Sequence, residues 1–184
     1  YLAAKTRHIR LGTAVVVLPW HNPVLIAEQA ATLDLLTGGR LDFGVGKGYR
    51  QAEFDGFCIP IAEATERFDE ALEIILKAWT QPKFDHQGKF WSYKDIAIWP
   101  RPYQQPHPPV WVPFTGSKET IEWAGKHNFS AVLPDFKRGL TEDIVGYFAK
   151  QLAIHVKRGH SRLVHRHERS QKTPANTFGQ KCAP

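Results

Sequence analysis

The stretch from Ile9 to Gly46, IRLGTAVVVLPWHNPVLIAEQAATLDLLTGGRLDFGVG, carries the pattern that decides the fold. It opens with a run from Ile9 to Leu18 that is rich in β-branched residues and apolar in its second half, as a strand buried on both faces is. Asn22-Pro23 then suits the start of a helix, and Gly38-Gly39 suits its end. Alternating apolar residues from Leu41 to Val45 predict a second strand. The order strand, helix, strand is typical of parallel βα units.

The chain downstream of this stretch continues the alternation. Residues Thr65 to Thr80 are predicted to form a helix because large apolar residues recur on one face at helical spacing, namely Phe68, Leu72, Ile75 and Trp79. Residues Phe84 to Trp99 have the pattern of a β-hairpin with a turn near Gln87-Gly88. The five prolines in residues 100–109 exclude a helix there and favour an extended connector.

Four further elements complete the prediction. They are a strand from Val110 to Phe114, a helix from Ser117 to His127, a short strand from Ala131 to Leu133 and a helix from Leu140 to Ile154. The whole pattern predicts an α/β fold made of parallel βα units, in which the loops after the strands build the functional site.

The composition limits the class of protein. The 184 residues, 42% of them hydrophobic, are enough for one core but fewer than the roughly 250 of a complete (β/α)8 barrel. The chain starts at Tyr1 and has no methionine, which suits a portion of a longer protein. The sequence shows neither an apolar run long enough for a membrane span nor a signal-peptide pattern. Cys58 and Cys182 form no paired motif, so a cytoplasmic location is expected.

The net charge of +6 is concentrated near the end of the chain. Between His155 and Lys172 there are six lysines or arginines against one acid, Glu168. We therefore predict a barrel portion over residues 1–155 and a basic, disordered or locally docked tail over residues 156–184. Histidines in or beside the tail have no fixed scaffold, so no metal site is predicted. The tail lacks interleaved aromatic residues, which leaves nucleic-acid binding as the weaker alternative.

Two loops that follow predicted strands carry groups suited to phosphate. One opens a helix, where free backbone N–H groups and the hydroxyls of Ser117 and Thr120 suit an anion; the alternative is that Ser117 only caps the helix. The other, Gly46 to Arg50, has two glycines and two cations. Its spacing matches neither the dinucleotide fingerprint nor the P-loop, so a flexible turn with solvated charges is an equal alternative.

Several segments, taken in order, resemble the luciferase-like flavin monooxygenase family. They run from Thr6 to Gly56, from Glu66 to Thr80 (ERFDEALEIILKAWT), from Trp99 to Val112 (WPRPYQQPHPPVWV) and from Gly116 to His127 (GSKETIEWAGKH). The resemblance covers about residues 1–155 and excludes the tail. It implies a partial (β/α)8 TIM barrel of the luciferase-like type, lacking its first and its last strands.

The resemblance also implies a cofactor and the residues that hold it. Reduced flavin, usually FMN, lies at the carboxyl ends of the strands in this family, and a non-prolyl cis peptide supports its ring at the position of Ala14-Val15. The phosphate-contacting positions correspond to Lys47, Ser117 and Thr120, with Gly48 and Gly116 beside them and Tyr49 as a weaker candidate. The family often has arginine where this chain has Lys47, which keeps the charge but loses the bidentate fork.

The activity implied is that of a flavin-dependent monooxygenase, which oxidises a small organic substrate with reduced flavin and O2 and draws that flavin from a flavin reductase. No catalytic residue is assigned, because the family's acid/base histidine is expected in a part that precedes Tyr1. The resemblance also implies a homodimer or heterodimer through the helix of residues 24–37, with Glu28 at the contact. The alternatives are F420-dependent hydride transfer on the same fold and a flavin-binding protein without catalysis.

Overall fold

The computed structural model of the chain describes residues 1–113 and 118–132. The helices in this part are α1 (Leu2–Lys5), α2 (Pro23–Thr37), α3 (Gln51–Gly56), α4 (Ala64–Thr80) and α5 (Lys118–Lys126). The strands are β1 (Leu11–Gly12), β2 (Val16–Val17), β3 (Leu41–Gly46), β4 (Phe84–Gln87), β5 (Ser92–Ile96), β6 (Val110–Pro113) and β7 (Ser130–Val132). Single turns of 3-10 helix cover Leu18–Trp20 and Ile61–Glu63.

A parallel sheet forms the centre of the described structure. In its order, β1 lies beside β3, β3 beside β6, and β6 beside β7, while β2 also pairs with β3 further along. Leu41 is in register with Leu11, and Phe43 with Val110. Every pairing in this sheet is parallel, which confirms the βα units predicted from the sequence. Helices α4 and α5 each lie between two of these strands in the chain, as crossover connections must.

The first predicted strand is wrong in its extent. We expected one strand from Ile9 to Leu18, whereas the structure has two short strands, β1 and β2, with residues 13–15 between them. The reason lies in Thr13, whose hydroxyl donates to the carbonyl of Gly44 (2.7 Å) and accepts from the Gly44 backbone N–H (2.9 Å). In a continuous pair of strands, the backbone of the neighbouring strand would make both of these hydrogen bonds. Here the side chain of Thr13 makes them instead.

Helix α2 agrees with the predicted start and end signals. The side-chain oxygen of Asn22 accepts from the backbone N–H groups of Val24 and Leu25, at 3.0 and 3.2 Å, and so caps the helix. Gly38 follows the last turn with a left-handed φ of 64°, a conformation that glycine adopts at little cost. The helix begins at Pro23, as predicted, because the fixed φ of proline suits the first helical position.

The core lies between the sheet and helices α2 and α4. The predicted apolar face of α4 is confirmed, since its four large residues are all buried: Phe68, Leu72, Ile75 and Trp79. Trp79 joins the layers, because its ring packs edge-on against Phe43 of β3 with centroids 5.1 Å apart. Its indole N–H donates to the carbonyl of Ala27 on α2 at 3.0 Å. Burial of side chains of this size is the main favourable contribution to folding.

The predicted hairpin and connector are confirmed. Strands β4 and β5 pair antiparallel and are joined by a turn of residues 88–91. On α4, the carboxylate of Glu70 accepts hydrogen bonds from the backbone N–H groups of that turn, at Lys89, Phe90 and Trp91. Residues 100–109 return the chain to the sheet without helix or strand. There, Gln104 donates twice to the buried carboxylate of Asp34 on α2, which fixes the connector.

The remaining predictions have mixed outcomes. Strand β6, helix α5 and strand β7 agree with the predicted elements as far as the described residues reach. Helices α1 and α3 were not predicted, because segments this short give too little periodicity. The predicted helix of residues 140–154 and the tail of residues 156–184 lie outside the described residues. In residues 1–113 and 118–132, no helix combines the length and the apolar character needed to cross a bilayer.

Candidate functional site

The carboxyl ends of β3 and β6 place the candidate site. Strand β3 ends at Gly46 and is followed by the loop of residues 47–50, and β6 ends at Pro113 ahead of α5. The two strands are adjacent and parallel, so the segments that follow them leave the sheet at the same edge. Binding sites of parallel α/β folds form at this edge, because the loops after the strands converge there.

A cavity of about 300 Å3 lies where these segments meet the first half of α4. Its lining comes from four parts of the fold: the loop after β3, strand β6, helix α4 and helix α5. The residues are Lys47, Thr65, Phe68, Asp69, Val112, Thr120 and Trp123. Lys47 and Thr120, which the sequence assigned to phosphate from two separate loops, therefore line one space.

Lys47 lies against an aromatic wall of this cavity. Its Nζ atom is 5.8 Å from the centroid of the Phe68 ring, and Phe68 is fully buried with its ring 5.6 Å from that of Trp123. A cation over an aromatic ring gains about 0.5–1 kcal/mol at an exposed site, which is enough to bias the position of the side chain. The ammonium group keeps three N–H donors, so it can serve an anion in the cavity as a point charge.

Two polar residues of the cavity, Thr65 and Asp69, were missed by the sequence analysis. They lie four residues apart on α4 and therefore share one face of the helix, beside the buried Phe68. Partial burial raises the pKa of the Asp69 carboxyl, and the opposing effects of Lys47 and then His127 do not cancel it. The signal in the sequence was a polar pair at helical spacing next to an apolar stripe, and such pairs are more often merely solvated.

Glycines in β3 and in the loop after it allow the neighbouring strand to approach closely. A Cβ atom on Gly44 would lie 1.9 Å from the carbonyl oxygen of Thr13, and one on Gly46 would lie 2.8 Å from the side chain of Val15. Gly48 has a φ of 77°, and a Cβ atom there would meet Val17 and Phe54 at less than 3.0 Å. The glycine spacing is therefore required by packing and backbone conformation, and the turn is closely packed on one side.

Comparison with known proteins places this geometry in a family. A family model described as luciferase-like monooxygenase matches residues 1–153. The chain belongs to the luciferase-like monooxygenase family. The crystal structure of the monooxygenase RslO1 from Streptomyces bottropensis superposes with a TM-score of 0.77 at 27% identity, covering 83% of this chain and 47% of that one. This likeness confirms the predicted fold class, a portion of a luciferase-like (β/α)8 barrel.

Two luciferase-like relatives with described activities are similar in sequence. The oxygenase component of a flavin-dependent trigonelline monooxygenase from Acinetobacter baylyi is 37% identical over 113 residues, which is 60% of this chain and 31% of the relative. An FMNH(2)-dependent dimethylsulfone monooxygenase from Pseudomonas putida is 38% identical over 112 residues, which is 59% of this chain and 31% of the relative. This luciferase-like chain thus spans about a third of the length of the curated relatives that it matches.

The structure describes most of the other residues that were predicted from the family resemblance in this luciferase-like chain, and their positions relative to the cavity differ. The peptide bond between Ala14 and Val15 is cis, as predicted, and Val15 lies against Gly46 at the end of β3. Tyr49 does not line the cavity; its side chain is exposed, and the guanidinium of Arg50 lies 5.7 Å from its ring centroid. Gly48 supports the loop without lining the cavity. Two further predicted residues, Gly116 and Ser117, lie outside the described residues.

Proposed function

We propose that the protein is a flavin-dependent monooxygenase and that this chain holds the phosphate end of FMN in the cavity between Lys47 and Thr120. The observation that carries the proposal is that these two residues, from the loop after β3 and from the first turn of α5, line one cavity at the carboxyl edge of the sheet. The family resemblance gave phosphate-contacting roles to these positions. One cation and two threonine hydroxyls are groups that suit a phosphate monoester.

In this proposal, different residues of the cavity make different contacts with the flavin phosphate. Lys47 supplies the positive charge, and the hydroxyls of Thr65 and Thr120 supply hydrogen bonds. Phe68, Val112 and Trp123 form the apolar walls of the cavity. When bound, reduced flavin supplies the chemistry that activates O2 for oxidation of a small organic substrate. The chain's own part is to bind the flavin and fix its position.

Flavin binding to variants of the protein tests the proposal. Lys47→Ala is expected to weaken FMN binding about ten- to a hundredfold, which corresponds to the roughly 1.5–3 kcal/mol of a hydrogen bond to a charged group. Riboflavin has no phosphate, so its affinity is expected to stay the same. Lys83→Ala removes an exposed cation of the hairpin that pairs with Asp95, and it serves as the matched control. Unchanged FMN affinity in Lys47→Ala would contradict the proposal.

Two further variants extend this titration. Thr120→Val keeps the volume of the side chain but removes its hydroxyl, so a smaller loss of FMN affinity is expected, about threefold to tenfold. Ser117→Ala is expected to weaken FMN binding as well, because the family resemblance places Ser117 at the phosphate. If Ser117→Ala bound FMN like the unchanged protein, Ser117 would be removed from the proposed site.

The alternatives predict different cofactor behaviour. An F420-dependent oxidoreductase would bind the deazaflavin in preference to FMN and would transfer hydride without O2. A flavin-binding protein without catalysis would bind FMN but would show no oxygen consumption coupled to a reductase. The names of the two relatives, a flavin-dependent and an FMNH(2)-dependent monooxygenase, favour FMN and O2 here. A flavin reductase partner is part of the proposal, since one relative is named as an oxygenase component.

A dimer through α2 is also part of the proposal. The helix exposes leucines on the side away from the core, with Leu25 at 55% and Leu36 at 75% exposure, and Trp99 beside them is 77% exposed. An open groove of about 460 Å3 lies along this side and is lined by Glu28, Gln29, Thr32, Leu33, Leu36 and Trp99. Exposed apolar patches of this kind are typical of protein interfaces. The groove includes Glu28, the residue predicted at the contact.

Sedimentation of the protein tests the dimer. Leu36→Asp places a charge on the apolar side of α2, so it is expected to shift the protein from dimer to monomer. Lys94→Asp changes the charge of a β5 residue that does not line this groove, and it is expected to leave the dimer intact. Sedimentation that shows only monomer for the unchanged protein would contradict this part. A cytoplasmic location, expected from the cysteine pattern, stays a prediction.

A further inference from the structure

The cavity that holds Lys47 also holds a carboxylate of opposite charge, and this combination is unusual for a phosphate site. Asp69 lines the same space as Lys47, Thr65 and Thr120. If both groups are ionised, their formal charges sum to zero, so the cavity offers a phosphate dianion no net positive charge. The attraction of Lys47 for an incoming phosphate is then opposed by Asp69 within the same space.

We propose that Asp69 limits the affinity of the cavity for the phosphate dianion, so that the flavin is held weakly and exchanges, and that protonation of Asp69 strengthens the hold. This inference rests on the proposed function of the cavity as a flavin phosphate site. It assigns Asp69 the role of a specificity-determining residue, which acts through its charge on the bound phosphate.

Among the described residues, the charged or titratable groups that face Asp69 come from two other parts of the fold. Lys47 faces it from the loop after β3, and His127 from the end of α5. On α4 itself, the nearest acids one turn away each pair with a lysine at short distance: Glu66 with Lys89 at 2.6 Å, and Glu73 with Lys77 at 2.7 Å. Helix α5 also carries the exposed residues Glu122 and Lys126.

The position of Asp69 in the cavity affects the protonation of its carboxyl. Partial burial beside the aromatic wall raises the pKa of its carboxyl, with Lys47 and His127 opposing less strongly. A phosphate dianion bound in the same cavity would raise this pKa further, because two like charges in one site disfavour ionisation. Binding and proton uptake are then coupled, so affinity rises as the pH falls through the pKa of the complex.

Weak binding fits an enzyme that receives its flavin from another protein. A relative of this chain is named as the oxygenase component of a flavin-dependent monooxygenase, and another as FMNH(2)-dependent. Reduced flavin used in this way must enter and leave with each turnover. A cavity with Lys47 and no opposing carboxylate would bind the phosphate more tightly and would slow its release.

The test is a comparison of FMN and riboflavin dissociation constants for the full protein and for Asp69→Asn. The variant is expected to bind FMN about threefold to tenfold more tightly at about pH 8, as removal of a like charge in a partly exposed site does. Riboflavin affinity is expected to stay the same. The ratio of the two FMN constants is expected to shrink as the pH falls through the pKa of Asp69 in the complex, because a protonated Asp69 has no charge for the variant to remove.

Glu73→Gln is the matched control, since it removes one negative charge from the same helix outside the cavity. An equal gain in FMN affinity in this control would overturn the inference, as would an equal gain for riboflavin. Unchanged or weaker FMN binding by Asp69→Asn would overturn it too. If Lys47→Ala loses FMN affinity while Asp69→Asn gains none, the inference alone fails. If the unchanged protein binds no FMN, the proposed function fails together with it.

Discussion

Helices α2 and α4 both pack one face against the sheet, but their opposite faces differ. The outer side of α4 is charged and contacts the hairpin. Glu66 pairs with Lys89, and Glu70 accepts hydrogen bonds from the backbone of the hairpin turn. The outer side of α2 carries Leu25, Leu35 and Leu36, all exposed. Apolar residues grouped on an exposed side of a helix are typical of an interface. Within the described residues, the hairpin contacts the outer side of α4, whereas the outer side of α2 stays exposed and is the side proposed for the dimer.

The largest expected loss of stability comes from removing the side chain of Trp79, which connects the two helices. Trp79→Ala removes the ring against Phe43 and the hydrogen bond to Ala27, so the free energy of unfolding is expected to fall by about 3–5 kcal/mol. Chemical denaturation followed by circular dichroism measures this. Trp99→Ala is the control, because Trp99 is exposed on the α2 side and, at a concentration where sedimentation shows monomer, its loss is expected to change unfolding by less than about 0.5 kcal/mol. Equal losses in the two variants would contradict the assigned packing.

A smaller loss of stability is expected from weakening the contact between α4 and the hairpin turn. Glu70→Gln replaces the carboxylate that accepts three backbone N–H bonds from the hairpin turn, and its side chain is only 11% exposed. The free energy of unfolding is expected to fall by about 1–3 kcal/mol. Glu73→Gln breaks a surface pair of a side chain that is 57% exposed, so it is expected to cost less than about 0.5 kcal/mol. A Glu70→Gln variant as stable as the control would rule out this role.

The contribution of Glu70 is expected to depend on pH. Burial alone would raise the pKa of Glu70, but the N–H of Trp91, the His86 side chain and the N–H of Phe90 outweigh it, so the pKa is lowered. Because the folded-state pKa lies below the unfolded value of about 4.3, the stabilisation is complete above that value. It is lost as the pH falls through the folded-state pKa. The stability difference between the unchanged protein and Glu70→Gln should therefore be constant near neutral pH and shrink in acid; a constant difference throughout would contradict the lowered pKa.

The smallest effect is expected on the open side of α2. Leu36→Ala removes a side chain that is 75% exposed, so the unfolding of the monomer is expected to change by no more than about 0.5 kcal/mol. Denaturation at a protein concentration where sedimentation shows monomer measures this. A loss above about 2 kcal/mol under those conditions would show that another part of the same chain covers α2. The comparison of the two helices would then need revision.

Much of the fold was predictable from local patterns. The limits of α2 and α4 followed from the cap at Asn22, the stop at Gly38 and the apolar stripe that contains Phe68 and Trp79. The hairpin and the proline connector followed from their composition. The break at Thr13 was not predictable, because it depends on a hydrogen bond to Gly44, which lies in another strand. The residues of α3 gave no usable pattern, since one short turn of helix has no periodicity to detect.

The candidate site was predictable only in part. Lys47 and Thr120 were predicted separately, and for each loop a purely structural role was the alternative. Only the resemblance to a family assigned both residues to one site. Thr65 and Asp69 were not predicted, since exposed polar residues on a helix are most often solvated. Tyr49 was a candidate that the structure leaves outside the cavity.

By itself, the sequence determined where α2 begins and ends, which face of α4 is buried and that the strands alternate with helices in parallel units. These features depend on neighbours in the chain and on periodicity, which a sequence displays directly. The tertiary structure alone decided that Asp69 lines one cavity with Lys47 and Thr120, that Glu70 holds a distant turn and that, among the described residues, nothing covers the outer leucines of α2. Such contacts depend on the order of strands in the sheet and on the packing of helices against it, which bring residues together regardless of their separation in the chain.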